Sequence, residues 1–148
     1  MTMDVDGLLA EEDAGWRELR AAFAAVPGER FEEPGVTPEG WSPKDTMFHV
    51  GAWLAECAAV LERIEAASSP DEEDGESTDE QNASWFAMSR QLDVRTVRAE
   101  IESARVAARR GFGSLSRVTP EAWSWFEESG PLHYAQHAED LRDWLARP

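Results

Sequence analysis

Two histidines four residues apart, in the run His133-Tyr134-Ala135-Gln136-His137, are the residues of this chain best suited to chemistry. On a helix that interval puts both imidazoles on one face, with Cβ atoms roughly 5–6 Å apart, which lets them grip one metal ion from two sides. The chain has one further histidine, His49, also in a stretch of helical pattern. Together the three predict a metal site between helices. Three imidazoles suit Zn, Ni, Cu or Fe better than Mg or Ca, and three protein ligands with an open fourth position are what a catalytic zinc centre keeps. An ion so held lowers the pKa of a bound water or thiol towards neutrality. Asp45, Glu56 and Asp140 are candidate acceptors for the imidazole N–H groups, and each also reads plainly as a surface charge. His49 taken alone is a hydrogen-bonded histidine at the rim of a core, and a lone HxxxH pair arises often by chance.

Composition narrows the partners. The 148 residues suit a single domain, and 42% apolar content is ample for one core. A formal net charge of −16, from 30 acidic and 14 basic residues, repels phosphate backbones and anionic membranes, so neither nucleic acid nor membrane is an expected partner. The same charge concentrates cations around the surface. One cysteine, Cys57, cannot form an internal disulfide, and its apolar neighbours Trp53 and Leu61 predict a buried, inert thiol. The first residues lack the basic start and apolar run of a signal peptide, and no stretch approaches the ~20 apolar residues of a membrane span. A cytoplasmic location is the expectation.

Four amphipathic helices must position the histidines. Leu9, Trp16, Leu19, Phe23 and Val26 recur at helical intervals and predict a first helix from Asp6 to Val26, stopped by Pro27-Gly28. Ser42-Pro43-Lys44-Asp45 offers an N-cap, a proline at the first helical position and an acid at the third. It opens a second helix whose apolar stripe is Met47, Val50, Trp53, Leu54, Leu61 and Ile64, with His49 at the margin of that stripe. Residues 66–81 are a low-complexity acidic run, read as a mobile solvated loop rather than a calcium loop, and a short helix follows over Asp79–Arg90. The third long helix spans Asp93–Arg117 on Val94, Val97, Ile101, Ala104, Ala108, Phe112 and Leu115. Val118-Thr119-Pro120-Glu121-Ala122-Trp123 interrupts it and echoes Val36-Thr37-Pro38-Glu39-Gly40-Trp41, a single recurrence that does not make a repeat protein. Gly130-Pro131 introduces the last helix, with Tyr134, Ala138, Leu141, Trp144 and Leu145 inward and both histidines at one side. The seven tryptophans are read mainly as core, with Trp53 and Trp144 as candidate walls of a ligand pocket. The prediction is an all-α four-helix bundle, a fold that builds metal sites from side chains on facing helices.

Trp41-Ser42-Pro43-Lys44-Asp45 leading to His49 and Trp53, then Asp79 and Asn82, then His133-Tyr134-x-x-His137 ending in Leu141 and Trp144, resembles the DinB-like four-helix bundle superfamily over nearly the whole chain. The branches it is most similar to are the maleylpyruvate-isomerase N-terminal-domain-like and DfsB-like proteins. The resemblance implies an up-down-down-up bundle with a long crossover between its second and third long helices. It implies a divalent ion, often zinc or nickel, on His49, His133 and His137. In characterised relatives it implies thiol-dependent transferase or isomerase activity, using mycothiol, bacillithiol or glutathione. The functional expectation is thus a metal-dependent hydrolase or thiol-dependent transferase or isomerase acting on a small molecule. The rival expectation is a non-enzymatic bundle that binds a hydrophobic small molecule or pairs into a homodimer, with the histidines as satisfied polar groups.

Overall fold

The computed structural model describes residues 4–66 and 77–148. Among them all regular structure is helical: α1 (Val5–Ala24), α2 (Pro43–Glu65), α3 (Thr78–Ser89), α4 (Val94–Gly113), α5 (Pro120–Ser129) and α6 (Pro131–Ala146), with a short 3-10 turn at Gly28–Arg30. No helix among the described residues is long and apolar enough to cross a membrane. Helix α2 packs most extensively along α4, and α1 along α6, while α3 and α5 lie against α2. The central part of the acidic run expected as a loop lies outside the described residues, and its last positions, from Thr78, already belong to α3.

The helix starts follow side-chain capping. Asp4 accepts from the Gly7 amide, Asp93 from Thr96 at 2.8 Å, and Thr119 from Ala122 at 3.1 Å. At α2 the capping box is complete: Ser42 N–H donates to Asp45 Oδ2 at 2.9 Å while Asp45 N–H donates to Ser42 Oγ at 3.1 Å. The second Asp45 oxygen accepts from Ser89 Oγ at 2.8 Å, which ties the end of α3 to the start of α2. Asp45 is therefore structural, and not the imidazole acceptor its sequence position allowed.

Two differences from the sequence reading bear on the site. Residues 120–129 are a helix and not merely an interruption. Thr119 caps it, Pro120 takes its first position and Glu121 favours the positive end of its dipole, the same signature that opens α2. The echo at Val36–Trp41 behaves otherwise, because Gly40 adopts φ 86° and closes a turn there by donating its N–H to the Thr37 carbonyl at 2.9 Å. Secondly, Trp41 to Gly51 is buried without a break, so the first two turns of α2 are covered on every side. Lys44 shows how: its Nζ, 4% exposed as a residue, donates to Glu32 Oε1 at 2.6 Å and to the Leu92 carbonyl at 2.7 Å, closing the preceding loop and the α3–α4 link over the helix. Gly51 lets α4 approach closely, since a Cβ there would lie 3.2 Å from Ile101 Cα.

A buried charge cluster joins α1, α4 and α6, and the apolar periodicity gave no sign of it. Glu12 is 0% exposed, although it falls on a face otherwise formed by Leu8, Trp16, Leu19 and Phe23. Its carboxylate accepts from Arg105 Nε at 2.7 Å, from Arg109 Nη1, and from the Tyr134 hydroxyl at 3.0 Å. Burial, followed by the Glu12 charge, pushes the Tyr134 phenol well above its ordinary value, so it remains a donor. Removing the carboxylate would leave two guanidinium groups, 15% and 32% exposed, facing an apolar interior. Glu12→Leu should lower unfolding free energy in urea titrations by about 3–5 kcal/mol, against about 1 kcal/mol for Tyr134→Phe. An effect of Glu12→Leu no larger than that of Tyr134→Phe would show that the cluster contributes little.

Candidate metal centre

His49 lies two turns into α2, while His133 and His137 lie in the first and second turns of α6. Their placement on α6 depends on the elbow at Gly130. There a Cβ would sit 2.8 Å from the Phe126 carbonyl oxygen, so only glycine permits α6 to leave α5 at this angle. Pro131 then starts the new helix at once, and His133 faces back towards α2.

The three rings converge. His133 Nε2 stands 3.0 Å from His49 Nε2 and 3.0 Å from His137 Nε2, and one ligand atom of each residue falls within 4.8 Å of the others. The rings meet edge to face, with centroids 4.6–5.2 Å apart. Zn–N bonds of about 2.0–2.1 Å set donor nitrogens roughly 3.3 Å apart at tetrahedral angles and roughly 2.9 Å apart at right angles. The two 3.0 Å separations lie between these, and His49 and His137, held within 4.8 Å, are the pair that would have to draw in around an ion.

Hydrogen bonding alone does not satisfy this trio. Each imidazole nitrogen has a single in-plane position, holding either a proton or a lone pair. His133 Nε2 meets two neighbours, so one proton can serve both only as a divided, weaker bond. Asp140 Oδ2 accepts from His137 Nδ1 at 3.1 Å, which places the His137 lone pair on Nε2, facing the other rings. His49 Nδ1 is buried without a hydrogen-bond partner, and its ring packs against Trp41 at 4.5 Å between centroids. A cation accepting the Nε2 lone pairs resolves the crowding at His133, and the donor set suits one.

Burial also suppresses protonation. It is the largest influence on His49, held down to about 3, with the His137 charge adding to it and Asn82 opposing. It likewise holds His133 down to about 2, with His137 and His49 adding to it. His137 is lowered by burial too, against the opposing pull of Asp140 and Glu39. All three are neutral and able to bind metal at pH 7.

The structure brings His49, His133 and His137 together, and of the three expected acceptors it brings only Asp140. Glu56 instead stands 3.7 Å from Arg63. His49, expected at a stripe margin, is 8% exposed because the start of α2 is enclosed. Trp53 does wall a cavity of about 430 Å³ whose lining includes His133, Trp125, Glu121 and Glu128. Trp144 does not line that cavity. It is buried beneath Arg30, whose guanidinium lies 4.3 Å from the ring centre, and packs against Gly35. Cys57 is fully buried and its thiol is pushed up to about 12 by burial, as an inert thiol should be. Trp41 and Trp125 were not singled out as site residues. Trp41 enters the sequence analysis as the aromatic before a cap and as the start of the motif that carries the resemblance, and Trp125 belongs to the unexpected helix α5.

The histidine trio makes acid sensitivity a test of this geometry. An unfolded histidine titrates near 6.5, whereas the folded ones titrate below it. As pH falls through 6.5 the unfolded chain takes up protons that the native site refuses, so stability drops, and it keeps dropping towards the lowered native values. For chelator-treated protein, Tm should fall more steeply between pH 7 and 4 in the wild type than in a His49→Gln/His133→Gln/His137→Gln variant. Parallel curves would mean that the rings titrate normally.

No family model matches the chain, and no curated protein matches it. Among solved structures, the crystal structure of an uncharacterised protein from Escherichia coli UTI89 is similar over 97% of this chain and 94% of that one, with a TM-score of 0.77 at 14% identity. At that identity the likeness is one of fold, and it agrees with the all-helical architecture.

Proposed function

We propose that this chain is a DinB-like four-helix bundle protein that holds a divalent ion, zinc or nickel, on His49, His133 and His137. Its activity would be that of a metal-dependent hydrolase or a thiol-dependent transferase or isomerase on a small molecule. The observation that carries the reading is the meeting of three neutral Nε2 atoms in one buried place, two of the separations being 3.0 Å. The motifs at both ends of the chain support the DinB-like assignment, and the four long helices α1, α2, α4 and α6 suit such a bundle. The same resemblance is the ground for a low-molecular-weight thiol as co-reactant.

A divalent ion would supply a Lewis acid and bring a bound water or thiol towards ionisation at neutral pH. The residues of the chain do the rest. Asp140 fixes the His137 tautomer with Nε2 directed inward. Trp41 restrains the His49 ring, and the enclosed start of α2 keeps solvent from its back. His133, half-buried, is the member of the trio that reaches the open cavity, so a small molecule there lies beside the centre.

A second reading, a non-catalytic bundle that binds an apolar molecule or a second copy, draws support from a cleft between α2 and α4. That cleft, of about 710 Å³, is lined largely by Ala55, Ala58, Ala59, Leu61 and Gly111. The two readings part on the histidines. Protein purified without an affinity tag should take up about one equivalent of Zn or Ni at micromolar concentration, and His137→Ala should weaken uptake more than about tenfold. Chelation should lower the melting temperature by several degrees, because an ion bound only by the native state stabilises it by mass action. A wild-type protein that takes up neither metal, with a melting temperature indifferent to chelator, would leave the second reading standing.

A further inference from the structure

We propose that the cavity beside His133 selects a cationic ligand with a flat apolar body, an arylalkyl ammonium rather than a carboxylate, and holds it against the histidine trio. As a statement about substrate, this rests on the metal reading above.

The cavity, about 430 Å³, is within the size range of small-molecule sites. Its apolar wall is the pair Trp53 and Trp125, with ring centres 6.3 Å apart. Trp53 is a firm platform: Trp85 packs edge-on against it at 5.0 Å, and its indole N–H donates to Asn82 Oδ1 at 3.3 Å. Indole faces favour flat apolar groups and attract cations.

The polar side comes from α5. Glu121 and Glu128 are seven residues apart, so they lie on one helix face about 10 Å apart along the axis, with Ser124 and Trp125 between them on the same face. Neither glutamate belongs to any of the ion pairs formed among the described residues. No lysine or arginine lines the cavity. The cleft between α2 and α4 differs in having Arg110 beside its glutamates Glu62 and Glu65. An anionic substrate in the His133 cavity would meet two uncompensated carboxylates on a chain of net charge −16 before reaching the histidines. A cation is drawn in by the same field. Exposed carboxylates each contribute no more than a few-fold in affinity, and an indole face a few-fold more. Together they set a preference of about tenfold that salt should weaken.

The test compares 2-phenylethylammonium with 3-phenylpropionate, which share a ring and differ in the sign of charge. Each is titrated calorimetrically into chelator-treated protein at pH 7, in low and in high salt, so that no positive charge of a bound ion opposes the glutamates. The ammonium should bind at least about tenfold more tightly in low salt, with the advantage shrinking to a few-fold in high salt. Glu121→Gln/Glu128→Gln should erase the preference while zinc uptake stays as in the wild type and the melting temperature falls by no more than a few degrees, the cost of one charge at the start of α5. Equal or tighter binding of the carboxylate, binding of neither probe at about 10 mM, or a full preference retained by the double variant would each overturn the proposal. Repeating the titration on zinc-loaded protein separates the two ideas, because an ion on three neutral imidazoles adds positive charge beside the cavity and should narrow the preference. A persisting preference for the ammonium in a protein that takes up no zinc overturns the metal reading and leaves the selectivity of the cavity in place.

Discussion

Three neutral imidazoles meet in a space where each nitrogen has one in-plane direction to offer, and the rest of the site is arranged around that constraint. His133 Nε2 is 3.0 Å from both of its neighbours and can fully serve only one of them. His49 Nδ1, enclosed and without a partner, adds a second unmet need. Burial suppresses the protonation that could otherwise relieve the conflict by turning an acceptor into a donor. A buried polar group left without a partner costs about 1–3 kcal/mol. The fold bears that cost at His49 Nδ1, while the crowding at His133 Nε2 is the part that a cation on the three Nε2 atoms would relieve.

The frame around the trio is built to resist rearrangement. Gly130 and Pro131 turn the chain sharply and start α6 with no intervening loop, which fixes His133 in its first turn. The capping box at Ser42 and Asp45, tied to Ser89 of α3, fixes where α2 begins and hence where His49 points. On the far side, Glu12 gathers Arg105, Arg109 and Tyr134, joining α1, α4 and α6 through charge in a place where apolar contacts would ordinarily suffice. Tyr134 directly follows His133 in sequence, so the helix carrying two of the histidines is anchored through its neighbouring residue.

Helix α5 gives the site its asymmetry. It stacks Phe126 on Phe112 of α4 at 4.3 Å, which seats it against the bundle. Its opposite face carries Glu121, Ser124, Trp125 and Glu128 to the cavity. The centre is thereby closed by Trp41 behind His49 and open beside His133, with acidic and aromatic groups at the opening.

Much of this was legible in the chain, for local reasons. Apolar recurrence at helical intervals marked α1, α2, α4 and α6, because a helix must bury one stripe whatever it packs against. Ser-Pro-Lys-Asp marked the start of α2 to the residue, because capping is decided within one turn. The interval between His133 and His137 placed both rings on one face for the same reason. Other features depended on residues distant in sequence. Glu12 reads as a surface acid until Arg105 and Arg109 are brought to it across more than ninety residues. Trp144 reads as a possible pocket wall until Arg30 and Gly35 cover it. Helix α5 showed its cap and proline, but its ten residues are short enough to read as an interruption between longer helices. The sequence by itself determined which residues could bind an ion and on which helices they ride, since residue type and helical spacing are properties of short segments. Only the tertiary structure decided that the three rings draw together, that Asp140 and neither Asp45 nor Glu56 meets one of them, at His137, and that the cavity opens at His133, because those depend on how separate helices cross.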